Sequence, residues 1–240
     1  MTAADSSPRL PRRTFLLAAL AFAAGCSQTT RSSSGPPDGA GTTPQLVLPG
    51  EVTTPPSDPV PVRSVGMVGD SITMRSKPAL TSVFAARGIA DVVIDAEVSR
   101  RIEVGNGRNE PLNGEQVLTN LIKTGVDPDV WVFALGTNDV NKVGRDGYAE
   151  LIDSMLGMPP AVTPVVWVDV YWPAALAQSK SFNDVLRDRA AARPHTSVAS
   201  WFAVASDRSK KLLSSDNLHP NEAGEAAFAA LVGAAVSAIG

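Results

Sequence analysis

Three short blocks of this 240-residue chain hold residues able to do chemistry together. Gly69-Asp70-Ser71 closes an apolar run, Val65 to Val68, that reads as a strand. The glycines there let the chain turn tightly toward a helix, so Ser71 stands at a strand's carboxyl end, near helix N-terminal amides that favour an anion. Taken alone the tripeptide is also what a turn with a helix-capping serine looks like. Ser215-Asp216-Asn217-Leu218-His219-Pro220 sets an acid and an imidazole three residues apart. In a turn both side chains point one way, so the carboxylate can orient the ring through Nδ1 and leave Nε2 free to take a proton. The alternative is that Asp216 caps the next helix and His219 is incidental; Pro220 restricts His219 to an extended backbone and suits a helix's first turn. Gly136-Thr137-Asn138-Asp139 follows the apolar run Val130 to Leu135. Its asparagine amide can donate to an oxyanion forming near Ser71, or merely close an Asx turn. Together the blocks describe a Ser-His-Asp nucleophile with an oxyanion donor.

Histidine is scarce, and this narrows the choice. Only His195 and His219 exist. His195, between Pro194 and Thr196 with no neighbouring acid, reads as a surface-loop residue. The same scarcity, with one cysteine, disfavours a zinc site. The formal charge of −3 offers no basic stripe, so no nucleic-acid partner is expected.

The elements that must position these blocks alternate. Val65 to Val68, Val92 to Ile94, Val130 to Leu135, Val165 to Val170 and Ser197 to Ser200 read as strands. Pro78 to Arg87, Gly114 to Lys123, Gly147 to Leu156, Phe182 to Ala192 and Pro220 to Ile239 have helical spacing. The alternation predicts an α/β fold with a five-stranded parallel sheet between two helical layers, its ligands at the strands' carboxyl ends. No internal repeat is present.

Ahead of that domain, residues 1–25 read as an export signal. Arg9, Arg12 and Arg13 precede the apolar stretch Phe15 to Ala24, which is too short to span a bilayer. Arg12-Arg13-Thr14-Phe15-Leu16 resembles a twin-arginine signal. Cys26, after Ala23-Ala24-Gly25, resembles the cysteine that bacterial lipoproteins lipidate after cleavage, although Ala23 stands where an aliphatic residue is usual; otherwise Cys26 is a stray thiol in a discarded signal. Residues 26–62, rich in Ser, Thr, Pro and Gly, read as a disordered tether, and 63–240 as the folded domain. The expectation is an exported protein, anchored to the cell membrane by lipid on Cys26 and facing the envelope, or secreted.

The three blocks together resemble the SGNH/GDSL hydrolase family across nearly all of residues 63–240. The resemblance implies a flavodoxin-like α/β/α sandwich and metal-free acyl-ester chemistry, with Ser71 as nucleophile, His219 as base, Asp216 orienting it, and an oxyanion hole from the N–H groups of Ser71 and Ser99 and the Asn138 amide. Many members carry glycine where Ser99 stands; serine keeps the N–H but loses glycine's freedom of φ. Val98-Ser99-Arg100, the Trp172 loop, Asn183 and Trp201 resemble the extracytoplasmic domains of peptidoglycan O-acetyltransferases. That implies a short acyl group, acetyl above all, moved from or onto cell-envelope carbohydrate, either to water or with a separate membrane acyl donor. Trp172 and Trp201 are candidate substrate contacts, or core aromatics, and Gly105-Asn106-Gly107-Arg108-Asn109 a loop bordering the site. Competing readings are a lipase or thioesterase for longer acyl chains and a catalytically silent wall-binding lipoprotein.

Overall fold

The computed structural model describes residues 61–104 and 112–239. The signal, Cys26, nearly all of the tether and the 105–109 segment lie outside the described residues.

Five strands alternate with helices: β1 (Ser64–Gly69), α1 (Ser71–Ala86), β2 (Asp91–Ala96), α2 (Gly114–Lys123), β3 (Val130–Ala134), α3 (Arg145–Leu156), β4 (Val165–Val168), α4 (Leu176–Ala192), β5 (Thr196–Ala199), α5 (Trp201–Ala205) and α6 (Glu222–Ser237). All strand pairs are parallel, in the order β2-β1-β3-β4-β5. This is the expected α/β/α sandwich. Its strand order reverses between β1 and β3, which opens a crevice at their carboxyl ends.

Alternation along each strand builds two cores. Val130, Val132 and Ala134 of β3 face α1 and α6 with Leu80, Phe84, Phe228 and Val232. Trp131, Phe133 and Leu135 face α2, α3 and α4 with Leu118, Ile152, Phe182 and Leu186. Side chains pointing to opposite faces with period two produce this split. On the second face aromatic rings fill the space: Phe133 meets Trp167 edge-on at 5.5 Å, and Trp167 Nε1 donates to the Leu135 carbonyl at 3.1 Å.

Several element boundaries differ from expectation, among them the start of α4, at Leu176 rather than Phe182. Helix α1 begins at Ser71 rather than Pro78 and carries Pro78 inside it. A proline there removes one helical hydrogen bond, but Ile72, Leu80 and Phe84 bury into the first core on either side of it, and that packing outweighs the loss. Helix α6 begins at Glu222, capped by the Asn221 side chain, which accepts from Gly224 N–H. Pro220 therefore lies ahead of the helix, in an antiparallel bridge with Leu213, and not in its first turn. The short helix α5 was not expected. Among the described residues no helix is long and apolar enough to cross a membrane.

Candidate active site

The end of β1 and the start of α1 meet with a single residue between them, so Ser71 is the first residue of the helix. Asp70 caps it, its Oδ1 accepting from Ile72 N–H at 2.9 Å. Gly69 has to be glycine, because a Cβ there would lie 2.1 Å from Thr73 Oγ1. The turn is thus fixed by three consecutive residues with different duties: close packing, capping and a displayed hydroxyl.

The histidine segment reaches that hydroxyl from 148 residues away. His219 Nε2 is 2.9 Å from Ser71 Oγ, and His219 Nδ1 is 2.7 Å from Asp216 Oδ2. Asp216 Oδ1 accepts the backbone N–H groups of Leu218 and His219, each at 3.0 Å. Asn217 makes the reversal in the left-handed region at φ 54°, which asparagine tolerates better than most residues. The His219 carbonyl accepts from Ser214 N–H, and Asn221 Nδ2 donates to the carbonyls of Lys211 and Leu213. Asp216 therefore orients the ring and does not cap α6. The ring's hydrogen bond, followed by the two backbone N–H groups, lowers its pKa to about 2, so the carboxylate stays charged beside the imidazole.

A second set of bonds ties β1, β2 and β3 together under the serine. Buried Arg100 sends Nη1 to the carbonyls of Gly69 and Asp95, Nη2 to Asp95 Oδ1 at 2.7 Å, and Nε to the Leu112 carbonyl. Its own carbonyl accepts from Asn138 Nδ2 at 3.1 Å, while that nitrogen's other contact, Asp70 Oδ2, is long at 3.4 Å. One amide hydrogen of Asn138 thus remains weakly engaged, on the carboxylate of the residue before Ser71. Ser99 holds φ 56°, the region where glycine is usual, and its N–H, like that of Ser71, has no acceptor among the described residues. Serine here adopts the left-handed backbone conformation that glycine adopts at less cost. The arrangement can transfer a proton from Ser71 to His219 and offer N–H donors to an anion.

Two acids that sequence reasoning left without a role sit beneath these donors. Burial raises the pKa of Asp70 to about 6 against the Ile72 N–H that lowers it, and raises Asp139 to about 6 against the opposing Arg101 guanidinium. Asp139 accepts from Arg101 Nε at 3.1 Å and Ile102 N–H at 3.2 Å, anchoring the loop after β2. Arg100 was visible only as part of a segment. Nothing in sequence marks a buried arginine, because its partners lie 5, 12 and 31 residues away.

Of the two tryptophans, the core reading holds for Trp201. Trp201 is 1 % exposed, its ring edge-on to Phe228 at 5.3 Å in the first core, so it does not face a ligand. As the first residue of α5 it joins the first core. Trp172 is half-buried and packs on the second core. Asn183 clamps the backbone N–H and carbonyl of Val170 at 2.9 and 2.8 Å and is itself buried. His195 is exposed in the loop before β5, away from the three blocks.

Next to the relay lies a cavity of about 600 Å³, walled by Tyr171, Pro173, Ala205, Leu212 and Asp216 and by the charged Asp207, Arg208 and Lys211. Among the described residues no cluster of His, Cys, Asp and Glu is arranged to hold a metal ion.

A family model described as GDSL-like Lipase/Acylhydrolase matches residues 67–227. No curated protein matches the sequence. Among solved structures, the C-terminal catalytic domain of Streptococcus pneumoniae peptidoglycan O-acetyltransferase A aligns with TM-score 0.60 and 19 % identity, over 75 % of this chain and 96 % of that one. Est24, a carbohydrate acetylesterase from Sinorhizobium meliloti, aligns with TM-score 0.59 and 15 % identity, over 74 % and 100 %. The aryl esterase of M. smegmatis aligns with TM-score 0.54 and 14 % identity, over 73 % and 99 %. At these identities the likeness establishes a shared fold.

Proposed function

The chain belongs to the GDSL-like lipase/acylhydrolase family and is an ester-acting hydrolase or acyltransferase, and from that premise we propose that it is an exported serine enzyme moving short acyl groups, acetyl above all, on cell-envelope carbohydrate. The observation that carries this is the unbroken line Ser71 Oγ to His219 Nε2, His219 Nδ1 to Asp216 Oδ2, at 2.9 and 2.7 Å. His219 takes the proton as Ser71 Oγ attacks the ester carbonyl, and Asp216 stabilises the imidazolium. The N–H groups of Ser71 and Ser99 and the Asn138 amide hold the oxyanion. The imidazolium then protonates the departing alcohol. The acyl-enzyme passes its group to water, or to a sugar hydroxyl when a separate membrane donor has loaded it.

An assembled relay disfavours a silent binding module. The similarity to a peptidoglycan O-acetyltransferase and a carbohydrate acetylesterase supports carbohydrate as the alcohol half. Residues 1–25 as export signal, Cys26 as lipid attachment and 26–62 as tether to the 63–240 domain complete the proposal, placing the site within reach of the envelope.

The test is hydrolysis of para-nitrophenyl acetate, butyrate and octanoate by the full chain and by Ser71→Ala. Acetate should be cleaved fastest, and the variant should lose at least about 10³-fold in kcat. Equal rates for the two proteins would remove Ser71 as nucleophile, and octanoate as the best substrate would restore the lipase.

A further inference from the structure

The cavity beside Asp216 has an uneven set of charges. Of its two acids, Asp216 is committed through both oxygens to His219 and to two backbone N–H groups. Asp207 takes Ser209 N–H and Oγ on Oδ1, and Lys210 lies 3.6 Å from Oδ2. Its two cations, Arg208 and Lys211, form no ion pair with any carboxylate among the described residues, and both are exposed. The wall therefore presents satisfied anions and unsatisfied cations.

The segment carrying those cations is held in shape. Arg208 begins a short 3-10 turn, Arg208–Lys210, whose cap is Asp207. Lys211 follows at φ 48°, in the left-handed region where a lysine is strained, and its carbonyl is caught by Asn221 Nδ2 at 2.7 Å. Asn221 is also the cap of α6, and Gly224 in that helix is pressed so close to the Leu212 carbonyl that a Cβ would lie 2.0 Å from it. One asparagine thus binds the cation-bearing turn to the same loop that carries Asp216 and His219. At about 600 Å³ the cavity is in the range of about 300–1,000 Å³ typical of small-molecule sites.

We propose that this cavity takes the alcohol half of the ester, and that Arg208 and Lys211 select an alcohol bearing an oxyanion, a carboxylate or a phosphate, over a neutral one. Guanidinium suits both anions through paired N–H donors, and the ammonium adds a point charge. The inference rests on the esterase reading above and narrows its carbohydrate to an acidic one. Charges at an exposed wall act on selection and capture of the substrate more than on the chemical step, so the signature is discrimination between alcohols.

Binding can be read without turnover. Methyl glucuronoside, methyl glucoside 6-phosphate and methyl glucoside would each be titrated into the full chain and into the Arg208→Gln/Lys211→Gln double variant, at low and at high salt. At least one anionic glycoside should bind about tenfold tighter than the neutral one. That preference should shrink as salt rises and disappear in the double variant. A preference for glucuronoside alone identifies the carboxylate source, and one for the phosphate alone the phosphorylated source. Equal binding of all three, or a preference that survives in the double variant, overturns the proposal. The favoured glycoside should also inhibit para-nitrophenyl acetate cleavage competitively. If the preference holds but that ester is cleaved as well by Ser71→Ala as by wild type, the esterase reading has failed and the cavity is an anion site without a role for a leaving alcohol. If cleavage depends on Ser71 and no preference appears, only the anion selection has failed.

Discussion

The two halves of the proposed catalytic relay are built in opposite ways. The nucleophile half is buried and stitched across the sheet: Asp70 and Arg100 are 1 % and 3 % exposed, and bonds from Arg100 and Asn138 join the ends of three strands. The base half is a local turn near the surface. The Asp216 side chain is 45 % exposed, and it bonds only to residues two and three positions on. Position in the first half comes from the fold, and in the second from the turn's own hydrogen bonds. Damage to the second half should therefore cost chemistry and leave the fold standing, whereas damage beneath the first should cost both.

Asp216→Asn tests the surface half and carries the largest expected effect. The asparagine oxygen can still accept the Leu218 and His219 N–H groups that Oδ1 accepts now. That choice turns the amide nitrogen toward His219 Nδ1, a donor facing the position that must itself donate. The ring is then held in the wrong tautomer, which costs about 10³ to 10⁴ in kcat. Thermal melting should show a change of under about 1 kcal/mol, because the carboxylate is largely in water. A large loss of stability here would mean that the turn is not self-contained and the contrast is false.

Arg100→Met breaks the buried half. It leaves the Asp95 and Leu112 carbonyls without this donor and removes one of the two N–H groups serving Gly69 O, the other being Glu97 N–H. The expected cost is about 2–4 kcal/mol. Activity of the surviving folded protein should fall about 10²-fold, because the segment carrying the Ser99 N–H and the Arg100 carbonyl that accepts from Asn138 is no longer pinned. Denaturant unfolding beside kcat at a temperature where the variant is folded separates the two losses. Unchanged stability would remove Arg100 as the tie between strands.

What could be read in advance follows the same division. The Asp216-His219 turn is contiguous, so its geometry was implicit in six residues, and the place of the Ser71 and Asn138 blocks after apolar strands put both at the carboxyl edge of the sheet. Arg100 could not be assigned a role, because its meaning lies in acceptors contributed by β1, β2 and the chain before α2. Trp201 was left open between core and ligand for a related reason: an aromatic at a strand's end looks the same in sequence whether a ring or a ligand lies against it, and Phe228, which decides the matter, is 27 residues on. Pro78 hid the first turns of α1, since a local rule gives no weight to the Leu80 and Phe84 packing that overrides it.

The two halves also titrate in opposite directions, and this gives the smallest effect and the finest test of the contrast. Asp70 and Asp139 have folded pKa values raised to about 6 from an ordinary 3.8, chiefly by burial. Between those values the folded state holds protons that the unfolded chain has released, so their contribution to stability is fully present below about pH 3.8 and is lost as pH rises through 6. Asp216, lowered to about 2 by its hydrogen bonds, contributes above pH 3.8 and loses that contribution as pH falls through 2. Melting temperature should therefore rise on acidifying from pH 7 to about pH 4 and fall again below it. Asp70→Asn should flatten the upper limb by on the order of 2 kcal/mol or less, since the pair shares its repulsion and Arg101 offsets part of it. The lower limb should survive in that variant, because it belongs to the exposed turn. An Asp70→Asn protein with the wild-type slope between pH 4 and 7 would mean that the charge beneath the nucleophile is hydrated, and that the buried half of the relay is less dry than its neighbours make it.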